Sequence, residues 1–161
     1  MRITVPGDKS LTQRALILAS IASGTSSLRG LLFGGDAEST ANALRAMGAN
    51  IPPIPQDGGA IEVEGVGLDG LATPDAPLDL GNSGTGTRLL LGLLAGAGVG
   101  ATLTGDTSLQ SRPMKRVTAP LCAMGASFEF LEEQDRLPLT ITSAAGLSAV
   151  DWPSHVASAQ V

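Results

Sequence analysis

The first pattern of hydrophobic and polar positions is helical and begins just after Asp8. Apolar residues recur there at intervals of three and four positions: Leu11, Ala15, Leu18, Ala19 and Ala22. This spacing predicts a helix that buries one apolar face and ends at Gly24. The apolar stretch 28–33 then predicts a buried strand. Asp36 stands where the N-cap of a second helix is expected, and Gly48 where a glycine follows a C-cap.

Strand and helix patterns continue to alternate along the rest of the chain. Residues 61–65 alternate apolar positions with glutamates, which predicts a strand with one exposed face. A leucine-rich helix is expected after residues 82–84, and another after residues 111–113, with Pro113 in its first position. Further strands are predicted at 102–104, 128–131 and 137–141.

The order of these elements repeats along the chain. Residues 43–49 and 120–126 share Leu, Ala, Met, Gly and Ala in the same positions, at a spacing of 77 residues. A fixed long period indicates a repeated supersecondary unit, here helix, strand, helix, strand and strand. We therefore predict an α/β fold in which helices pack on sheets. Residues 158–160 look like the start of a third capped helix, so we expect the chain to be part of a longer protein.

Composition and charge argue against several classes of function. The 161 residues carry a net charge of −5, with no basic run longer than Lys115-Arg116, so neither a nucleic-acid nor an anionic-membrane partner is expected. The most apolar stretch, 89–99, is about half as long as a bilayer requires. One cysteine and one histidine leave no cluster for a metal site. With no apolar signal core, the chain is expected in a reducing cytoplasm, with Cys122 buried and inert.

Three clusters at predicted helix starts could hold an anion. Lys9, Ser10 and Arg14 occupy the first turns of the first helix, where unpaired N–H groups and the helix dipole already favour negative charge. The glycine-rich segment 81–88 ends in an arginine, but it lacks the Gly-Lys-Ser/Thr ending of a nucleotide-binding P-loop. Arg112 precedes the last helix. Each cluster alone is also compatible with a capped surface helix whose basic residues are solvated.

Taken in order, four motifs resemble those of the EPSP synthase family, whose members are 3-phosphoshikimate 1-carboxyvinyltransferases. The motifs are Val5-Pro6-Gly7-Asp8-Lys9-Ser10 with Arg14, Leu80-Gly81-Asn82-Ser83-Gly84-Thr85 with Arg88, Leu103-Thr104-Gly105-Asp106 with Arg112-Pro113-Met114, and Ser158-Ala159-Gln160. The resemblance runs along the whole chain.

The resemblance implies a fold and an activity. The family has two lobes, each built from three βαβαββ units with helices packed on mixed sheets, and this chain would form one incomplete lobe. Residues 1–8 would hold a strand of the opposite lobe, and residues 9–161 the N-terminal lobe, with complete units at about 9–76 and 77–150 and the start of a third at 151–161. The family transfers the enolpyruvyl group of phosphoenolpyruvate to the 5-hydroxyl of shikimate-3-phosphate and releases phosphate, a step of the shikimate pathway toward aromatic amino acids. No cofactor or metal is expected.

Carried over residue by residue, the resemblance implies roles for the candidate site residues. Lys9 would be the catalytic residue and would touch both substrates, and Ser10 and Arg14 would bind the shikimate carboxylate. The other substrate-binding residues would be Asn82, Gly84 and Arg112, the last two at phosphoenolpyruvate, and Ser158, Ala159 and Gln160 at shikimate-3-phosphate, with Gln160 touching both ligands.

The family's acid–base carboxylates, and a second set of cationic residues, lie in a part that this chain lacks. Proton transfer at the enolpyruvyl carbon needs such a carboxylate. We therefore expect turnover only with a complementary C-terminal portion of the enzyme as partner. A partial lobe is also expected to expose apolar surface and to self-associate.

Three features resemble a bacterial subgroup of the family. Ser158-Ala159-Gln160 replaces the Ser-Ser-Gln of some other members, and Leu89 after Arg88 and residues 135–139 also match the subgroup. Herbicide-tolerant members of that subgroup carry alanine at the position of Gly84, where the methyl group crowds glyphosate. The glycine in this chain predicts a glyphosate-sensitive enzyme.

A different class of function fits the same residues. The chain could be a non-catalytic anion-binding lobe that holds a phosphorylated metabolite at its helix starts without turnover. A related transferase that acts on a nucleotide sugar shares the fold, but the Lys9-Ser10 opening with Arg14 resembles the shikimate type.

Overall fold

The structure is a computed structural model that describes residues 5–142 and 146–153. Its helices are α1 (Lys9–Ile21), α2 (Gly35–Ala46), α3 (Gly84–Ala97), α4 (Thr107–Gln110) and α5 (Lys115–Ala123). Its strands are β1 (Ser23–Leu28), β2 (Ile61–Val66), β3 (Leu78–Asp79), β4 (Ala101–Thr104), β5 (Ser127–Phe130) and β6 (Leu139–Thr142).

The strands form two small sheets. β1 and β2 pair antiparallel, with Ser23 opposite Val66 and Leu28 opposite Ile61. The second sheet has the order β3-β4-β6-β5, in which β3 and β4 are parallel and the other neighbours are antiparallel. The expectation of an α/β fold with helices on mixed sheets is thus confirmed.

The core is almost entirely aliphatic, because the chain has only three Phe, one Trp and no Tyr. Helices α1, α2 and α3 pack against one another and against the sheets. They contribute fully buried side chains such as Leu16, Leu44 and Leu90, and the second sheet contributes Leu103 and Leu139. Burying a Leu side chain contributes about 1.5–3 kcal/mol to stability. This packing holds the N-terminal turns of the three helices next to one another.

The buried face of α1 differs from the predicted one. Leu11 and Leu18 are 66% and 63% exposed, so their predicted burial is wrong, whereas the burial of Ala19 is confirmed. The stripe that enters the core lies beside the predicted one and shares Ala19 with it: Thr12, Gln13, Leu16, Ile17, Ala19 and Ser20. Three of these residues are polar, so a pattern of hydrophobic residues could not predict that they are buried. They can be buried because they are hydrogen-bonded: Thr12 Oγ1 accepts from Leu32 N at 2.8 Å, and Ser20 Oγ donates to Leu16 O at 2.8 Å.

The first strand lies almost entirely before the apolar stretch 28–33 that was predicted to form it. β1 comprises Ser23–Leu28, with Gly24 inside it, and residues 29–33 are irregular. The predictions that Gly24 ends the helix and that 28–33 is a strand are therefore wrong. β1 is polar and largely exposed, and what defines it is its pairing along the whole length of β2. β2 itself follows the predicted alternation, with Ile61 and Val63 buried.

Two helix starts also differ from the sequence predictions. Gly34 is the N-cap of α2, and Asp36 lies in its first turn. Pro113 precedes α5, whose N-cap is Met114, whereas Asp106 caps the short α4 that intervenes. In α5, Cys122 is exposed, which contradicts the prediction of a buried thiol.

Candidate functional site

The N-terminal turns of α1, α2 and α3 meet at one place. Asp8 caps α1, with Oδ1 accepting from Leu11 N at 2.7 Å. Lys9, the first residue of α1, places Nζ 2.8 Å from Oδ2 of Asp36 in the first turn of α2. Ser83 caps α3 by accepting from Gly86 N at 3.2 Å. Because a helix N-terminus carries partial positive charge, this arrangement favours a bound anion.

A buried glutamine that belongs to none of the predicted site clusters connects the first turns of α1, α2 and α3. Gln13 lies one turn after Lys9 and has no exposed surface. Its Nε2 lies 2.5 Å from Ser83 Oγ, 3.1 Å from Thr40 Oγ1 and 3.1 Å from the carbonyl oxygen of Asp36. Its sequence gives one signal only: Gln13 is a polar residue one helical turn before Leu16 and Ile17, which are buried. We call Lys9, Gln13, Asp36, Thr40 and Ser83 the helix junction.

Arg112 and Asn82, both predicted site residues, are in direct contact. Arg112 Nη2 donates to Asn82 Oδ1 at 2.5 Å and to Ser108 Oγ at 3.2 Å, and Nη1 donates to the Asn82 carbonyl oxygen at 3.4 Å. Asn82 Nδ2 in turn donates to both carboxylate oxygens of Asp106, at 2.8 and 3.0 Å. These bonds tie the loop that carries Arg112 to the start of α3.

The Asp106 carboxylate is stabilised in its charged form. The hydrogen bond from the Asn82 side chain lowers the pKa of Asp106 most, and the backbone N–H of Leu109 and the charge of Arg112 lower it further. The carboxylate therefore stays an acceptor that holds the Asn82 amide in one orientation.

Gly84, another predicted site residue, lies at the start of α3 beneath two guanidinium groups. A Cβ atom built on Gly84 would lie 2.9 Å from Arg112 Nη1 and 3.1 Å from Arg88 Nη1. Arg88 donates from Nη1 to the Gly84 carbonyl oxygen and from Nη2 to the Pro113 carbonyl oxygen, each at 3.1 Å. Only a residue without a side chain fits here without moving an arginine.

Three arginine charges interact close to Gly84. Burial lowers the pKa of Arg88 most, and the charges of Arg116 and Arg112 lower it further. Like charges gathered at a helix N-terminus repel one another, and a bound anion would relieve that repulsion.

The structure accounts for the predicted site residues unequally. Asn82, Gly84 and Arg112 lie together, and Lys9 lies at the helix junction with half-buried Ser10 beside it in the first turn of α1. Arg14 lines a groove between α1 and α3 together with Ile17, Leu18, Leu89 and Leu93. The predicted contacts of Ser158, Ala159 and Gln160 lie outside the described residues.

A sequence model of EPSP synthase, 3-phosphoshikimate 1-carboxyvinyltransferase, matches residues 1–161. The chain belongs to the EPSP synthase family. It is 51% identical over 160 residues to the 3-phosphoshikimate 1-carboxyvinyltransferase of Alkalilimnicola ehrlichii, and 54% identical over 160 residues to that of Gloeobacter violaceus. Each alignment covers 99% of this chain but only 35% and 36% of the respective relative.

A solved structure of this family has the same fold. EPSP synthase from Acinetobacter baumannii superposes with a TM-score of 0.91 at 40% identity, over 98% of this chain and 35% of that chain. This chain therefore spans about a third of the length of the family members it matches. Among the described residues, no helix is long and apolar enough to cross a membrane, and no group of three or more His, Cys, Asp or Glu side chains could hold a metal ion.

Proposed function

We propose that this chain supplies one side of the substrate cleft of a 3-phosphoshikimate 1-carboxyvinyltransferase. That enzyme transfers the enolpyruvyl group of phosphoenolpyruvate to the 5-hydroxyl of shikimate-3-phosphate, giving 5-enolpyruvylshikimate-3-phosphate and phosphate. The observation that carries the proposal is Arg112, held by Asn82 above Gly84 at the N-terminus of α3. An oriented guanidinium over a glycine is suited to phosphoenolpyruvate, whose phosphate and carboxylate need close cationic contact.

The proposed roles are those that the resemblance to the family implies for each residue. Arg112 and Gly84 bind phosphoenolpyruvate, and Lys9, at the start of α1, touches both substrates as the catalytic residue of this chain. Ser10 and Arg14 bind the shikimate carboxylate, while Ser158, Ala159 and Gln160 serve shikimate-3-phosphate. Asn82 contributes by fixing Arg112 through its side-chain oxygen.

Completion of the reaction needs groups from elsewhere. Protonation of the enolpyruvyl carbon requires a carboxylic acid, and the cationic transition state requires opposing charge. We propose that a complementary C-terminal portion of the enzyme supplies them from the facing lobe. The strand within segment 1–8 then belongs to that lobe, although Asp8 at its end caps α1 of this one. Units 9–76 and 77–150 form this lobe, and 151–161 begins a third unit. The order β3, α3, β4, α5, β5 and β6, with only the short α4 between β4 and α5, supports the βαβαββ unit at 77–150.

We also propose that this chain comes from the bacterial subgroup that includes glyphosate-tolerant members, and that its own enzyme is sensitive. An alanine methyl at position 84 would approach Arg112 Nη1 to 2.9 Å. The added methyl would narrow the space in front of Arg112, which an inhibitor larger than phosphoenolpyruvate requires. Gly84 leaves that space open. A cytoplasmic location is part of the proposal, and the free thiol of Cys122 fits a reducing compartment.

The test is release of phosphate from phosphoenolpyruvate and shikimate-3-phosphate. The chain is assayed alone and with an equal concentration of the C-terminal portion of a relative. We expect release only in the mixture, and a large loss with Arg112→Ala in this chain. Arg136→Ala is the matched control, because Arg136 pairs with Glu133 at 3.0 Å near the surface.

Two other outcomes would contradict the proposal. If calorimetry detects binding of shikimate-3-phosphate but the mixture stays inactive, the chain is a non-catalytic anion-binding lobe. If the chain neither binds nor assists catalysis, its membership of the family reflects ancestry without the present activity.

A further inference from the structure

Gln13 is a polar side chain at a place where packing alone would favour an apolar one. It is fully buried, and its Oε1 atom is buried without a hydrogen-bond partner among the described residues. Leaving a buried acceptor unpaired is destabilising, so Gln13 is not optimal for stability. This cost is offset by the hydrogen bonds that the other polar atom of the amide, Nε2, donates.

The Nε2 atom of Gln13 contacts the start of each neighbouring helix. Ser83 is the N-cap of α3, and Asp36 and Thr40 lie in the first two turns of α2. Two amide hydrogens are shared among these three acceptors. One side chain on α1 therefore fixes the first turns of two other helices relative to its own.

Gly86 makes room for this arrangement. A Cβ atom on Gly86 would lie 2.5 Å from Thr40 Oγ1, 2.6 Å from Ser83 Oγ and 3.0 Å from Gln13 Nε2. The first turn of α3 thus approaches the amide more closely than any side chain at position 86 would permit.

We infer that Gln13 is a positioning residue of the candidate site, through its hydrogen bonds to Ser83, Thr40 and the Asp36 carbonyl. It aligns the turn of α1 that carries Lys9 and Ser10 with the turn of α3 that carries Gly84. The two turns then act on one anion as a single site. The identity of the anion rests on the proposed function. The alignment of the two turns by Gln13 does not.

Gln13→Met tests the inference, because methionine keeps the length of the side chain and removes both N–H donors. Hydrogen exchange in the ligand-free chain is the first measurement. We expect protection of the Thr12 and Gly86 amides, which lie in the first turns of α1 and α3, to fall about tenfold. Protection of the Ile141 amide in β6 should stay the same. A loss of core packing would lower all three together, and unchanged protection at Thr12 and Gly86 would overturn the inference.

Binding is the second measurement, with inorganic phosphate as probe and amide NMR shifts at Ser10 and Gly84 as readouts. In the wild-type chain both amides should report the same dissociation constant. In Gln13→Met we expect affinity to fall roughly 3- to 10-fold and the two amides to report different constants. Gln13→Asn, which keeps a shorter amide, should be intermediate. Gln56→Met, at an exposed turn residue, should behave as wild type.

The failures are distinguishable. If the mixture with the C-terminal portion releases no phosphate, the proposed function fails, and the Gln13 comparison in the chain alone still decides the inference. If Gln13→Met binds phosphate as wild type does, with one constant at both amides, the positioning role is wrong. If the wild-type chain does not bind phosphate, the shared anion site is wrong, whatever the mixture with the C-terminal portion does.

Discussion

The side-chain amide of Asn82 has its orientation set by the two charges on either side of it. Its oxygen accepts from Arg112 Nη2 at 2.5 Å, and its nitrogen donates to Asp106 at 2.8 and 3.0 Å. The reversed amide would turn an N–H group toward a cation and an oxygen toward a carboxylate, so only one orientation satisfies both neighbours. Asp106, although it lies on the far side of Asn82, thereby helps to aim Arg112.

Asn82→Ala should weaken anion binding without unfolding the chain. Asn82 is exposed, so its bond to Arg112 contributes only about 0.5–1 kcal/mol, which corresponds to roughly a 2- to 5-fold lower affinity for phosphoenolpyruvate. Calorimetric titration measures the change. Asn50→Ala removes another exposed asparagine, one that donates to Glu64 at 3.3 Å, and should leave affinity unchanged. An equal loss in both variants would mean that the Asn82 contact does not aim Arg112.

Asp106 should give the folded chain a distinct response to acid. Because folding lowers the pKa of Asp106, its contribution to stability is complete above the unfolded value of about 3.9. That contribution is lost as the pH falls from there through the lower folded pKa. A carbon-13 NMR titration of the carboxyl group should place the midpoint below 3.9. Asp106→Asn should flatten the dependence of unfolding free energy on pH in this range, and an unchanged dependence would contradict this role of Asp106.

Much of the fold could be predicted from the sequence, because in many elements the local residue pattern agrees with the packing in the folded chain. The leucines of α3, its cap at Ser83 and the glutamate alternation of β2 all satisfy local and global requirements at once. The face of α1 could not be predicted, since its buried stripe contains Thr12, Gln13 and Ser20, and their burial depends on partners up to 70 residues away.

The candidate site divides in the same way. Lys9, Gly84 and Arg112 were found because basic residues and glycines at helix starts have a recognisable chemistry. The sequence could not predict the role of Gln13, because that role depends on contacts with α2 and α3, which are distant from α1 along the chain. The sequence assigns Asp106 no role of its own, because its contact with Asn82 spans 24 residues that no local pattern connects.

Gly84→Ala should separate inhibitor binding from substrate binding. The new methyl group would stand 2.9 Å from Arg112 Nη1, so the arginine must shift or the space before it must narrow. In the reconstituted enzyme we expect glyphosate inhibition to weaken by at least about tenfold, with a smaller rise in KM for phosphoenolpyruvate. Inhibition assays at several phosphoenolpyruvate concentrations measure both quantities.

Gly92→Ala is the matched control in the same helix. A Cβ atom there would meet no atom within 4 Å, so the substitution should stabilise α3 by about 0.5–1 kcal/mol and leave inhibition unchanged. Equal inhibition of wild type and Gly84→Ala would show that the space before Arg112 does not discriminate the inhibitor.

The leucines on the outer face of α1 should make the chain self-associate. Leu11 and Leu18 are 66% and 63% exposed, and Leu18 borders the groove that also contains Leu89 and Leu93. Burying one leucine side chain contributes about 1.5–3 kcal/mol, so Leu18→Ser should weaken association at least about tenfold. Sedimentation equilibrium across a range of concentrations measures the dissociation constant. Leu131→Ser removes a 48% exposed leucine elsewhere and should have no effect. A wild-type chain that stays monomeric at high concentration, or two variants that weaken association equally, would show that this face does not drive it.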